Sequence, residues 1–137
     1  MVCGHRLLIA EDELLLRVGI ADALRKEGWT VDVAKDGEEA LKLFGQGLHD
    51  VVLTDLVMPG IDGLEVLRRV KRDHPAVEVI ILTGHGSDRE RKLAEEFGAF
   101  AYLQKPVDID VLARTMREAY QVVDGKNAPR PDTEQGG

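Results

Sequence analysis

The chain has 137 residues, 44% of them hydrophobic and 31% charged, with a formal net charge of -7 and a pI of about 5.1. That length suits one domain with a core large enough to fold without disulfide or metal staples. The acidic balance argues against direct binding to nucleic acid or an anionic membrane, whose phosphates would be repelled. A single cysteine, Cys3, leaves no intrachain disulfide and points to a reducing compartment.

The first apolar run, Arg6–Ala10 (RLLIA), predicts a strand. It is too short for the apolar part of a secretory signal, and no run reaches the roughly eighteen apolar residues of a membrane span, so a cytoplasmic protein is expected. Glu11-Asp12-Glu13 follow. An amphipathic helix is predicted from about Glu13 to Glu27, with Leu16, Ile20, Ala23 and Leu24 on one face and Gly28 as its stop. A second strand covers Thr30–Ala34, and a helix runs from about Glu38 to Phe44. The third strand, Val51–Thr54, ends on Asp55 with the turn pair Pro59-Gly60 just beyond, and a helix covers Leu64–Asp73. The fourth strand, Val77–Leu82, leads into Thr83-Gly84-His85-Gly86-Ser87 and a helix over Asp88–Phe97, whose apolar anchors are chiefly Leu93, Ala94 and Phe97. The fifth strand, Ala101–Gln104, is followed by Lys105-Pro106 and a helix from near Asp108 to near Asp124. Residues 124–137 hold no large apolar side chain and read as a disordered tail or linker behind a domain of residues 1–123.

Three of the strands are nearly continuous apolar runs, as in a parallel sheet covered on both faces. The fivefold alternation of strand and helix predicts a doubly wound α/β fold with right-handed crossovers. Such folds bind ligands at the carboxyl ends of their strands. Those ends carry Glu11, Asp12 and Glu13, then Asp55, then Thr83, then Lys105.

Each of these residues alone has a plainer reading. Asp12 or Glu13 favours the start of a helix. Asp55 can open a loop, Ser87-Asp88-Arg89-Glu90 spells a capping box, and Lys105 can be a solvated residue before a helix-opening proline. Together they point to chemistry. Carboxylates crowded at adjacent strand ends repel one another and raise one another's pKa. A hard divalent cation relieves that repulsion, and an all-oxygen acidic site suits Mg²⁺. Metal, ammonium and hydroxyl form a receptor for the oxygens of a phosphoryl group. A central carboxylate can then act as nucleophile and form an acyl phosphate, which is the position of Asp55.

With the pair Glu11-Asp12, the stretch DLVMPGIDG from Asp55, LTGHG around Thr83 and AYLQKP ending at Pro106, the chain resembles a response-regulator receiver domain of bacterial two-component signalling from Arg6 to Tyr120. The resemblance implies a flavodoxin-like five-stranded sheet of order 2-1-3-4-5 with five helices. It implies that Asp55 is the phospho-acceptor, and that Asp12, Asp55 and the backbone carbonyl of Val57 hold Mg²⁺, with Glu11 acting mainly through water. It makes Lys105 the phosphoryl partner, Thr83 the switch hydroxyl, Tyr102 the switch aromatic and Lys105-Pro106 a cis peptide. It makes Val57 and His85 the residues that tune the lifetime of the phosphorylated state, expected to be nearer hours than seconds. The phosphodonor it implies is a sensor histidine kinase or a histidine phosphotransfer protein. The response is expected at the face of the fourth helix, fifth strand and fifth helix, toward an output partner or domain that the residues do not identify.

Phe100 and Ala101 stand where receivers that dimerise as transcription factors carry paired acids, so a monomer or weak dimer is expected. No output domain follows, which fits a stand-alone receiver or a part of a larger regulator or hybrid kinase. A haloacid-dehalogenase-like hydrolase would want an acid at Val57 and a cap domain. A flavin carrier would want a phosphate loop in place of Glu11-Asp12-Glu13. A receiver that had lost phosphorylation would lack Asp55, Lys105 or the acid pair. The expected role is regulatory, not that of an enzyme acting on a separate substrate.

Overall fold

The computed structural model describes residues 5–47 and 49–127. Cys3 and the part of the tail beyond residue 127 lie outside them. The strands are β1 (Arg6–Ala10), β2 (Thr30–Ala34), β3 (Val51–Thr54), β4 (Glu78–Thr83) and β5 (Ala101–Gln104). They alternate with α1 (Leu14–Lys26), α2 (Gly37–Gln46), α3 (Gly63–Asp73), α4 (Asp88–Glu96) and α5 (Ile109–Asn127). The sheet is parallel, in the order β2-β1-β3-β4-β5. This is the doubly wound flavodoxin-like architecture expected from the sequence.

Because side chains alternate across a strand, each strand feeds two cores. Leu7, Ile9, Val51, Leu53, Ile80 and Leu82 pack beneath α1 and α5 with Ile20, Leu24, Leu112 and Met116. Leu8, Ala10, Val52, Val79 and Ile81 pack on the other face with Ala40 and Phe44 of α2, Val66, Leu67 and Val70 of α3, and Ala94 of α4. Double coverage explains why these strands read as unbroken apolar runs.

Several boundaries differ from the expected ones for physical reasons. Helix α1 buries Ile20, Ala21 and Leu24, and Ala21 rather than Ala23 completes its inner face. Helix α2 begins earlier, at Gly37, because the Asp36 side chain accepts the Glu39 N–H at 2.8 Å as an N-cap. Asp62 does the same for α3 through Glu65 N–H at 2.9 Å. Strand β4 starts at Glu78 and takes in Thr83: Val77 N–H is drawn into a turn with His74 O, while Thr83 pairs in register with Gln104. The capping box expected at Ser87 forms with Glu90. Helix α5 continues to Asn127, three residues past Asp124. No helix among the described residues is long and apolar enough to cross a membrane.

Candidate functional site

The sheet's hydrogen bonds continue past the strand ends and fix three side-chain bearers in place. Glu11 N–H donates to Ala34 O at 3.0 Å, Asp55 N–H to Ala10 O at 2.9 Å, and Lys105 N–H to Thr83 O at 2.9 Å. Residues from β1, β3 and β5 therefore meet at one rim although they lie up to 94 positions apart in sequence. Lys105 Nζ donates to Glu11 Oε1 and to Asp55 Oδ2, each at 2.9 Å. Glu11 and Asp55 are buried, whereas Asp12 is exposed and makes no side-chain hydrogen bond or ion pair among the described residues.

Glu11 uses both oxygens, since Oε2 accepts Glu13 N–H at 3.1 Å. That bond overturns the reading of Asp12 or Glu13 as the helix cap. Glu13 occupies the N-cap position without a side-chain cap, and Glu11 satisfies its N–H instead. Asp55 Oδ2 is taken by Lys105, while Oδ1 has only a long 3.3 Å contact from Val57 N–H. The backbone carbonyl of Asp55 accepts from Thr54 Oγ1 at 2.9 Å.

The electrostatics follow from three acids around one ammonium. Burial pushes the Glu11 carboxyl above its ordinary range; the hydrogen bond from Lys105 opposes this, and the charge of Asp55 adds to it. Burial works to lower the Lys105 pKa, but its hydrogen bonds to Asp55 and Glu11 outweigh that and hold it above the ordinary lysine value. Glu11, Asp12 and Asp55 each place an oxygen within 4.8 Å of the others. Opposite oxygens around an octahedral Mg²⁺ lie about 4.2 Å apart. The all-oxygen donor set of these three carboxylates is of the right kind for that ion.

The remaining expected residues line the surroundings. Thr83 is fully buried at the end of β4, and its Oγ1 accepts His85 N–H at 3.2 Å. Val57 is 52% exposed beside Asp55, and His85 is exposed on the β4–α4 loop. Tyr102 of β5 has a buried hydroxyl with no hydrogen-bond partner, and the Arg91 guanidinium lies over its ring at 5.1 Å. Burial raises the Tyr102 pKa above the usual value. The Lys105-Pro106 peptide is cis, as the resemblance implied.

One contributor was missed in the sequence. A Cβ at Gly63 would stand 2.1 Å from the carbonyl oxygen of Asp55, so only glycine lets the start of α3 press against the backbone that carries Asp55. The signal available was Asp62-Gly63 at the head of a helix, which by itself reads only as a cap.

The response regulator receiver domain family matches residues 7–117. The transcriptional regulatory protein TcrA of Mycobacterium tuberculosis is 37% identical over 136 residues, which are 99% of this chain and 53% of TcrA. The chain spans about half or less of the length of the curated relatives it matches. A response regulator receiver domain protein of Clostridium thermocellum superposes with a TM-score of 0.80 at 36% identity, covering 85% of this chain and 94% of that one. A CheY-like receiver domain protein of Methanospirillum hungatei gives 0.86 at 25% identity, covering 89% and 98%. With the family matched across the sheet, the acidic rim and Lys105, this chain belongs to the response-regulator receiver domains.

Proposed function

We propose that the chain is a phosphorylation-controlled switch in which Asp55 accepts a phosphoryl group, in the presence of Mg²⁺, from a sensor histidine kinase or histidine phosphotransfer protein. The observation that carries this reading is the bridge of Lys105 between Glu11 and Asp55 beside the exposed Asp12. An Asp55 carboxylate oxygen attacks phosphorus, an O–P bond forms, and the P–N bond to the donor imidazole breaks. The imidazole leaves with the electron pair of that bond and takes up a proton. Mg²⁺ held by Asp12, Asp55 and the Val57 carbonyl, with Glu11 reached through water, would neutralise charge on the phosphoryl oxygens. Lys105 is placed to exchange a carboxylate oxygen for a phosphoryl oxygen. Thr83 accepts one hydrogen bond and still has its own hydrogen to donate to that group.

The chain promotes only its own phosphorylation and dephosphorylation. A donor has an apolar surface to approach beside the site. Leu14, Leu15 and Val18 of α1 are 59%, 80% and 46% exposed. A groove of about 580 Å³ lined by Leu15, Leu16, Pro106, Val107 and Ile109 runs next to Lys105. The response passes through Thr83 and Tyr102 to α4, which buries only Ala94. Val57 offers no group to activate water and His85 shields the approach, so the acyl phosphate persists for hours rather than seconds, and Val57→Asn shortens that time.

Incubation with acetyl phosphate and Mg²⁺ followed by intact-mass measurement tests the reading. The parent gains the mass of one phosphoryl group and Asp55→Asn gains none. Undiminished labelling of Asp55→Asn would refute it.

A further inference from the structure

The ring of Tyr102 and the β4–α4 loop meet at Gly86. A Cβ built there would stand 1.5 Å from Tyr102 Oη, 2.7 Å from Cζ and 3.1 Å from Thr83 Cγ2. Gly86 is not among the glycines with positive φ, which are Gly28, Gly60 and Gly98, so its backbone would suit any residue. With the ring where it lies, the space and not the conformation calls for glycine, and a side chain there requires the end of Tyr102 to move. The hydroxyl at that spot is buried without a partner, so no polar bond fixes the ring, and packing against the loop and Arg91 must do so.

We propose that Gly86 is a positioning residue for Tyr102. The missing side chain at 86 lets the ring lie inward against the β4–α4 loop, and any side chain there turns it out onto the α4–β5–α5 face. The hole that accepts the ring lies three residues from Thr83, so movement of the loop that carries Thr83 and Gly86 reshapes it. This deepens the proposed switch, and only its signalling consequence rests on that reading; the packing statement stands without phosphorylation.

Two measurements test it on the full chain. The first is nitration by tetranitromethane with peptide mapping, taking Tyr120 as the internal reference. In Gly86→Ala, Tyr102 should react about tenfold faster or more, because the rate follows the population with the ring exposed, while Tyr120 keeps its rate. The second is a thermal cycle. Gly86→Ala should lower the Tm of the parent. It should raise the Tm or leave it unchanged in the Tyr102→Ala background, since an alanine at a permitted φ restricts the unfolded chain. Unchanged nitration of Tyr102, or equal Tm losses in both backgrounds, would overturn the proposal. If Gly86→Ala unfolds and both tyrosines react faster, the Tyr102→Ala background decides: a folded double variant supports the proposal and an unfolded one overturns it. A parent that gains no phosphoryl mass would overturn the proposed function and leave the nitration result standing.

Discussion

The two ends of the sheet both gather charge, and they treat it in opposite ways. At the amino ends of the strands each acid is met by the chain itself. Asp32 holds His49 Nε2 at 2.7 Å and Arg6 at 3.5 Å. Asp50 accepts Arg6 N–H at 2.9 Å, and Glu78 faces Lys71 at 3.5 Å. At the carboxyl ends two of three acids, Glu11 and Asp55, share one ammonium, and Asp12 has no ion pair among the described residues. Matched charge holds a fold together; surplus charge of one sign costs stability and persists where something from outside is to be bound. The contrast sets the carboxyl-end cluster apart as the candidate site without reference to which residue types are involved.

Substitutions at the two ends should therefore fail differently. The largest effect is at the carboxyl end: Lys105→Ala should abolish or nearly abolish labelling by acetyl phosphate while the protein stays folded, as read by intact mass beside a circular-dichroism melt. At the amino end His49→Ala loses the Asp32 bond and opens a hole beside Phe44. It should cost about 2–3 kcal/mol in urea unfolding and leave the extent of labelling unchanged. Loss of labelling in a folded His49→Ala protein would break the comparison. Asp12→Asn should show the opposite pairing of outcomes. Relief of repulsion at an exposed acid raises stability by about 0.5–1 kcal/mol at low salt, and Mg²⁺ binding followed by titration calorimetry falls away.

The smallest effect belongs to neither end. Arg68 and Arg69 hold the Glu65 carboxyl at a pKa of about 2, below its ordinary 4.5, through hydrogen bonds at 2.5–2.9 Å on the surface of α3. A depressed acid stabilises the fold above its unfolded pKa, and that contribution is lost as pH falls from about 4.5 toward 2. The trio is solvated, so Glu65→Gln should flatten the acid limb of the stability curve by less than about 1 kcal/mol. A larger change would mean that exposed pairs here count as buried ones do.

The carboxyl-end cluster was legible because its parts are short local patterns, each at a strand end that hydrophobic runs reveal. Glu11, Asp55 and Lys105 needed only the topology to bring them together. The amino-end cluster was not legible. His49, Asp32 and Arg6 meet through side-chain reach between strands, and nothing in LHDVVL marks His49 as a partner of Asp32. The same reason hid Gly63 and the bond from Glu13 N–H to Glu11. Close approach of backbone to backbone leaves no trace in periodicity, and one carboxylate serving both Lys105 and Glu13 N–H looks in sequence like any acid before a helix.

The placement of Lys105 has a consequence during synthesis. β1 is central in the sheet and its neighbours β2 and β3 follow it directly, so the first 55 residues can bring Glu11, Asp12 and Asp55 together. Lys105 arrives 50 residues after Asp55, roughly 3–10 s later at ribosomal speed. Over that interval the nascent rim carries its acids without their ammonium. A chain arrested between β4 and β5 should therefore gain compactness from added magnesium more than the finished protein does, and a ribosome-bound proteolysis series at two ion concentrations would show when Lys105 begins to offset the acids.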